Sequence, residues 1–185
     1  MIKLSHWLIK QSKGWVVLIA IIVFVLFMIF VLPAQAEKAD EYARGNGSPD
    51  TAFFYPPEFL FELAEVYGEA GRNAYVRARF TFDLIFPLVY GVFLVTSISW
   101  LVDHSLNFNS PWRRVNLVPV AGVVFDLLEN SAASLVMAGY PERREFFALL
   151  ASVFTSFKWL FVYGSFFVLA NVLMLWVYKK LKREN

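Results

Sequence analysis

The sequence contains no cysteine among its 185 residues. This absence excludes disulfide bonds, thiolate catalysis, iron–sulfur clusters and Cys-ligated zinc. Histidine is almost absent as well, since His6 and His104 are the only two. Both lie at the edges of apolar segments, so neither haem nor a His-ligated zinc site is expected at the centre of the fold.

Charged residues are also scarce, at 17% of the chain, and the formal net charge is only +2. No basic run accompanies exposed aromatic residues, so a nucleic-acid partner is not expected. Hydrophobic residues instead make up 58% and aromatic residues 18%. A soluble domain of this length rarely has so apolar a composition, which predicts an integral membrane protein.

Four apolar segments are long enough for a transmembrane helix, which needs about 20 residues. They span residues 14–33, 80–102, 117–138 and 147–178. We therefore predict a single membrane domain, residues 1–185, that is an all-α four-helix bundle. The last segment exceeds a hydrocarbon core of about 30 Å, so it should tilt or pack against the outer loop.

The first segment allows two interpretations. It ends in Pro33-Ala34-Gln35-Ala36, and the pattern Ala-x-Ala is typical of a signal-peptidase site. However, residues 15–32 form a longer and more apolar run than the roughly 7–15 residues of a signal peptide's hydrophobic region. A retained transmembrane helix is favoured, and a cleaved signal remains open.

Residues 34–79 are predicted to form an outer loop that carries one short helix. Pro56-Pro57 is typical of a helix start, and apolar residues recur at helical spacing from there to about residue 69. Gly68 and Gly71 allow the helix to end. Four glutamates on this helix make it too acidic to cross a membrane, so it should lie against the bundle or the membrane surface.

The distribution of basic residues predicts the topology. With both termini cytoplasmic, the inner segments hold nine basic and two acidic residues, and the outer segments hold seven basic and ten acidic ones. Because Lys and Arg near the spans favour the cytoplasmic side, both termini are expected inside.

The most informative stretch lies within the third span, where Asp126, Glu129 and Asn130 are spaced i, i+3, i+4 and so share one helical face. Hydrocarbon does not solvate such groups, so they must face a protein interior or a polar cavity. Counting about 1.5 Å per residue from the span boundaries puts other polar residues in the same outer half. The candidate cavity is lined by Asp83, Tyr90, Asp126, Glu129, Asn130, Thr155 and Lys158, with Arg72 and Arg79 at its mouth.

The same residues also fit a purely structural network. Arg79 and Asp83 are spaced i, i+4 and can pair, and Lys158 can neutralise Glu129 or Asp126. The surplus of carboxylates over cations would then require a protonated carboxyl or a bound cation. A divalent cation such as Mg²⁺ or Ca²⁺, bridging Asp83, Asp126 and Glu129, would suit these oxygen ligands.

The motifs resemble those of a group of bacterial four-span membrane proteins of undetermined function. The resemblance covers most of the chain after residue 50 and implies a location in the bacterial inner membrane, but it implies no activity. It is carried by Gly71-Arg72-x-x-Tyr75, Asp83-x-x-x-Pro87-x-x-Tyr90, Asp126-Leu127-Leu128-Glu129-Asn130 and Thr155-x-x-Lys158-Trp159.

Two function classes follow, and neither requires enzymatic activity. The first is a site that binds or acts on a lipid-like amphiphile, such as a lipid headgroup or an isoprenoid. The second is an accessory or scaffold subunit of a membrane complex, with the outer segment as its contact surface for a protein partner and with buried polar residues that are only structural. An ion pathway is a third and weaker interpretation.

Overall fold

The computed structural model describes residues 2–43, 49 and 52–184, except for the side chains of 183 and 184. Over these residues the chain is helical and contains no strand, which confirms the all-α prediction. A π-helical turn, Phe27–Val31, joins α2 to α3, and a 3₁₀ helix, Pro111–Leu117, precedes α6. The α-helices are α1 (Ile2–Gln11), α2 (Gly14–Leu26), α3 (Leu32–Ala43), α4 (Pro57–Arg79), α5 (Phe82–Ser105), α6 (Val118–Gly139) and α7 (Glu145–Glu184).

Four helical stretches of the described chain are long and apolar enough to cross a membrane, as predicted. They are Gly14–Ala43, Pro57–Ser105, Pro111–Gly139 and Glu145–Lys182. The second stretch combines α4 with α5, because only the two residues Phe80 and Thr81 separate these helices.

The first of these helices continues to Ala43 rather than ending at residue 33. Pro33 has no N–H group and cannot donate to the carbonyl of Ile29, four residues earlier. The π-helical turn accommodates this loss, because the N–H of Leu32 donates to the carbonyl of Phe27, five residues back. Much of the expected outer loop is therefore helical, in α3 and α4.

Gly68 divides α4 into two halves. Its backbone is non-helical, with φ +61° and ψ −177°, a conformation that essentially only glycine adopts. The first half packs Leu60 and Leu63, both fully buried, against α6 and α7, and each burial contributes about 1.5–3 kcal/mol. The second half extends to Arg79 and leads into α5.

Small residues bring α5, α6 and α7 close together. A Cβ atom added to Gly91 of α5 would lie 2.5 Å from Cγ2 of Val123 on α6. A Cβ atom added to Gly122 of α6 would lie 3.3 Å from Cγ2 of Val162 on α7. This close approach brings the polar residues of α6 within hydrogen-bonding distance of those on its neighbours.

Candidate functional site

The buried face of α6 carries the polar residues that the helical spacing predicted. Asp126, Glu129 and Asn130 are 8%, 2% and 3% exposed, respectively. Each has a partner on another helix, so the three side chains connect α6 to α5, to the end of α4 and to α7.

Asn130 links α6 to the junction between α4 and α5. Its Nδ2 donates to the backbone carbonyl of Asp83 at 3.0 Å and to Oδ1 of Asp126 at 3.2 Å. The carbonyl of Asp83 would normally accept from the residue four positions later, but that residue is Pro87, which has no N–H. The amide of Asn130 therefore supplies the donor that the helix lacks at this point.

Arg79 is drawn into the same junction and is buried. Its Nη1 lies 3.1 Å from Oδ2 of Asp83 and donates to Oδ1 of Asn130 at 3.2 Å. Its guanidinium carbon also lies 4.3 Å from the centre of the Tyr75 ring. Arg79 is thus a member of the network and does not overhang it.

Tyr90 reaches Asp126 across the α5–α6 contact. The hydroxyl of Tyr90 donates to Oδ2 of Asp126 at 3.0 Å, and both side chains are buried. Gly91 allows this distance, because a side chain there would push α5 away from Val123.

Glu129 and Lys158 form a buried ion pair between α6 and α7. Nζ of Lys158 lies 2.5 Å from Oε2 of Glu129, and both side chains are almost inaccessible to solvent. Such pairs are costly to desolvate and are stabilised by close geometry and further hydrogen bonds. We refer to Arg79, Asp83, Tyr90, Asp126, Glu129, Asn130 and Lys158 as the polar cluster.

Two of the predicted site residues lie beside the polar cluster. Arg72 donates to the carbonyl of Ala64 at 2.9 Å and stacks on Tyr140, with its guanidinium carbon 4.7 Å from the ring centre. Thr155 bonds to the carbonyl of Ala151 at 2.9 Å and to the hydroxyl of Tyr55 at 3.4 Å. Arg72 therefore links the two halves of α4, and Thr155 bonds to Tyr55 in the segment that precedes α4.

Two tyrosines that the sequence did not place at the site contact its residues: Tyr55 contacts Thr155, and Tyr75 stacks on Arg79. Tyr55 is buried, and its carbonyl accepts a hydrogen bond from Ser152 of α7. It precedes Pro56 in a segment with no helical periodicity, so no pattern of neighbouring residues predicted that Tyr55 is buried. Tyr75 belonged to a motif, but its stacking on Arg79 depends on how α4 packs.

The three carboxylates that were expected to bind a divalent cation, Asp83, Asp126 and Glu129, do not form one ligand group. In the described part of the chain, no three acidic or histidine side chains form a group that could hold a metal ion. The reason is that the carboxylates use protein donors instead: Arg79 for Asp83, Tyr90 and Asn130 for Asp126, and Lys158 for Glu129.

Most of the predicted cavity residues are buried, and those of the polar cluster bond to one another across the helix contacts. Asp83, at 18%, is the most exposed member of the polar cluster. An apolar groove of about 360 Å³ lies between α2 and α5, and another of about 400 Å³ lies along the end of α7. Neither groove includes a residue of the cluster.

The polar cluster contains three carboxylates and two cations, which gives a formal charge of −1 when all five groups are ionised. The cluster is therefore a hydrogen-bonded, charged interior in which carboxylates outnumber cationic side chains.

Comparisons with models of known protein families, with curated proteins and with solved structures find no match for this chain.

Proposed function

We propose that this chain is an integral protein of the bacterial inner membrane that crosses the bilayer four times with both termini in the cytoplasm. The outward faces of α2, α5 and α7 support this proposal, because they expose large apolar side chains such as Ile19, Leu88 and Phe167. Such faces suit lipid and would aggregate in water. The excess of basic residues at the α1 end supports the orientation.

Within this membrane protein, the polar cluster binds the polar headgroup of a lipid-like amphiphile in the outer half of the bundle. The observation that carries this proposal is the placement of five charged side chains, four of them buried, at one junction of α4, α5, α6 and α7. Replacement of buried ion pairs by apolar residues of similar volume is often neutral or stabilising, so stability alone does not require charges there. Ionisable groups inside a membrane bundle therefore point to function.

The path of a headgroup to the cluster runs past the second half of α4. This half is bounded by the break at Gly68 and by the non-helical residues Phe80 and Thr81, so it has a hinge at each end. Asp83, the most exposed cluster residue, lies directly after the second hinge. Displacement of Arg79 would expose Asp83, Asn130 and Asp126 to a polar headgroup, and the present arrangement is the closed state.

Native mass spectrometry of the purified full chain tests this function. The wild-type protein should retain an amphiphile, and Asp126→Asn should lose it, because the amide removes the negative charge and replaces with a donor one of the two carboxylate oxygens that accept from Tyr90 and Asn130. Asp103→Asn is the matched control, since Asp103 pairs with Arg113 at the opposite end of the chain's fold. Wild-type protein that is free of amphiphile in several detergents would contradict the proposal, as would equal loss in both variants.

A second candidate function is that of an accessory or scaffold subunit. One observation favours it: the carboxylates of the polar cluster already have protein partners. In addition, α4 exposes an acidic face that fits a basic protein partner, formed by Glu58, Glu62, Glu65 and Glu69. A photo-crosslinker at Glu62 should then capture one stoichiometric partner in native membranes, whereas a crosslinker at Lys38 should not.

A further inference from the structure

At the end of the bundle away from the polar cluster, α1 is fixed by a second hydrogen-bonded group. Asn116, which is completely buried, accepts from the hydroxyl of Ser5 at 2.7 Å. Its Nδ2 donates to the carbonyl of Ser5 at 3.2 Å and to Oγ of Ser99 at 2.9 Å. Ile9, one turn after Ser5, packs against α5 and α7. The face of α1 that carries Ser5 and Ile9 is therefore fixed against the bundle.

This attachment determines which face of α1 points outward. Lys3, Trp7 and Lys10 are spaced i, i+4, i+7 and so form one strip along the helix. All three are exposed, and Trp7 is 56% exposed. In the described part of the chain, neither lysine has an ion-pair partner. The strip thus presents an indole ring between two free ammonium groups.

The surroundings of this strip strengthen its positive charge. Asp103 is the one acidic side chain described at this end, and it pairs with Arg113 at 2.5 Å. Arg114, Lys180 and Trp112, which belong to the other segments predicted to lie on the inner side, are exposed as well. A cationic surface with exposed indoles is typical of the boundary between headgroups and acyl chains.

We propose that the Lys3–Trp7–Lys10 strip binds the phosphate headgroups of anionic phospholipids in the cytoplasmic leaflet. This inference rests on the proposed membrane insertion and is independent of the polar cluster. The two ammonium groups contact lipid phosphates, and the indole lies between them at the headgroup boundary. Ile2 and Leu4, which are both about half exposed, enter the acyl region beside it.

Lipid titration of the full chain in detergent tests this binding. Short-chain phosphatidylglycerol or phosphatidylcholine is added, and the signal is the difference in tryptophan fluorescence between the wild-type protein and Trp7→Phe. We expect tighter binding of phosphatidylglycerol than of phosphatidylcholine. Lys3→Gln/Lys10→Gln should raise the dissociation constant for phosphatidylglycerol by about thirty-fold, since each lysine contributes to attraction by an anionic surface.

A matched control removes two positive charges at the other end of the fold. Lys38→Gln/Arg77→Gln replaces two exposed cations and should leave phosphatidylglycerol binding unchanged. Added salt should weaken binding to the wild-type protein, which provides a test that needs no variant. Equal affinity for both lipids, or an equal loss in the control, would overturn the proposal. The Trp7 difference signal reports binding at the α1 strip alone, so the retention or loss of an amphiphile at the polar cluster is a separate result.

Discussion

The Nδ2 atom of Asn130 lies 3.0 Å from the backbone carbonyl oxygen of Asp83. This carbonyl is the one that Pro87 leaves without a helical donor. The motif Asp83-x-x-x-Pro87 and the motif that ends in Asn130 therefore form two parts of one interaction. The amide substitutes for a backbone N–H and orients Asp83 toward Arg79.

We predict that Asn130→Ala lowers the free energy of unfolding by about 1–3 kcal/mol, because it leaves a buried carbonyl without a donor. Thermal unfolding in detergent measures the change. Pro87→Ala should reduce the loss, since alanine restores the backbone N–H that this carbonyl lacks. The double variant should therefore be more stable than the sum of the single effects predicts. Strict additivity would show that the bond between Asn130 and Asp83 does not compensate for the proline.

The ion pair between Glu129 and Lys158 gives a second prediction. Glu129→Gln or Lys158→Met should each destabilise the protein by about 3–5 kcal/mol, because each leaves a buried charge without its partner. Glu129→Leu/Lys158→Met should recover most of this loss, since both charges are removed together. Chemical denaturation of the detergent-solubilised protein can compare the three.

An exposed ion pair serves as the control for this series. Arg143 and Glu145 are more than half exposed, so Arg143→Gln and Glu145→Gln should each change stability by less than about 1 kcal/mol. The stable double variant also distinguishes the two proposed functions. If it retains the wild-type amphiphile and in-cell activity, Glu129 and Lys158 serve only to hold α6 against α7.

The sequence predicted the parts of the site that depend on local spacing. Asp126, Glu129 and Asn130 share a face because the helical repeat requires it, and Arg79 and Asp83 pair at i, i+4. The number of membrane-length helices followed in the same way from the apolar runs. These features depend on residues close in sequence: one or two helical turns for the paired side chains, and about 20 residues for the apolar runs.

Features that depend on tertiary packing did not follow from the sequence. The burial of Arg79 depends on how closely α4 approaches α6, which the spacing of residues within α4 does not show. The docking of α1 depends on Asn116, which lies more than a hundred positions from Ser5. No pattern within α1 indicates such a partner.

The contact between Gly91 and Val123 provides a third prediction. Gly91→Ala would add a Cβ atom 2.5 Å from Cγ2 of Val123, so Val123 must change its rotamer or α5 and α6 must separate. We expect a loss of about 1–3 kcal/mol from overpacking, together with a weaker bond between Tyr90 and Asp126. Gly164→Ala is the control, because its Cβ would meet nothing closer than 4.0 Å. Val123→Ala should rescue Gly91→Ala, and a failure to rescue would show that the clash lies elsewhere.

The last prediction concerns the attachment of α1 to the bundle. Asn116→Ala removes three hydrogen bonds and leaves the Ser5 carbonyl and the Ser99 hydroxyl without this partner. The loss of about 1–3 kcal/mol should appear as local opening of α1, with backbone amides of residues 2–11 exchanging roughly 5- to 150-fold faster. Ser99→Ala removes one of the three bonds and should have a smaller effect in the same region. Asn171→Ala is the control, because Asn171 is exposed and bonds only within its own helix, to Phe167. Hydrogen exchange followed by mass spectrometry can rank the variants. Unchanged exchange of α1 in Asn116→Ala would mean that packing around Ile9 holds the helix without the buried amide.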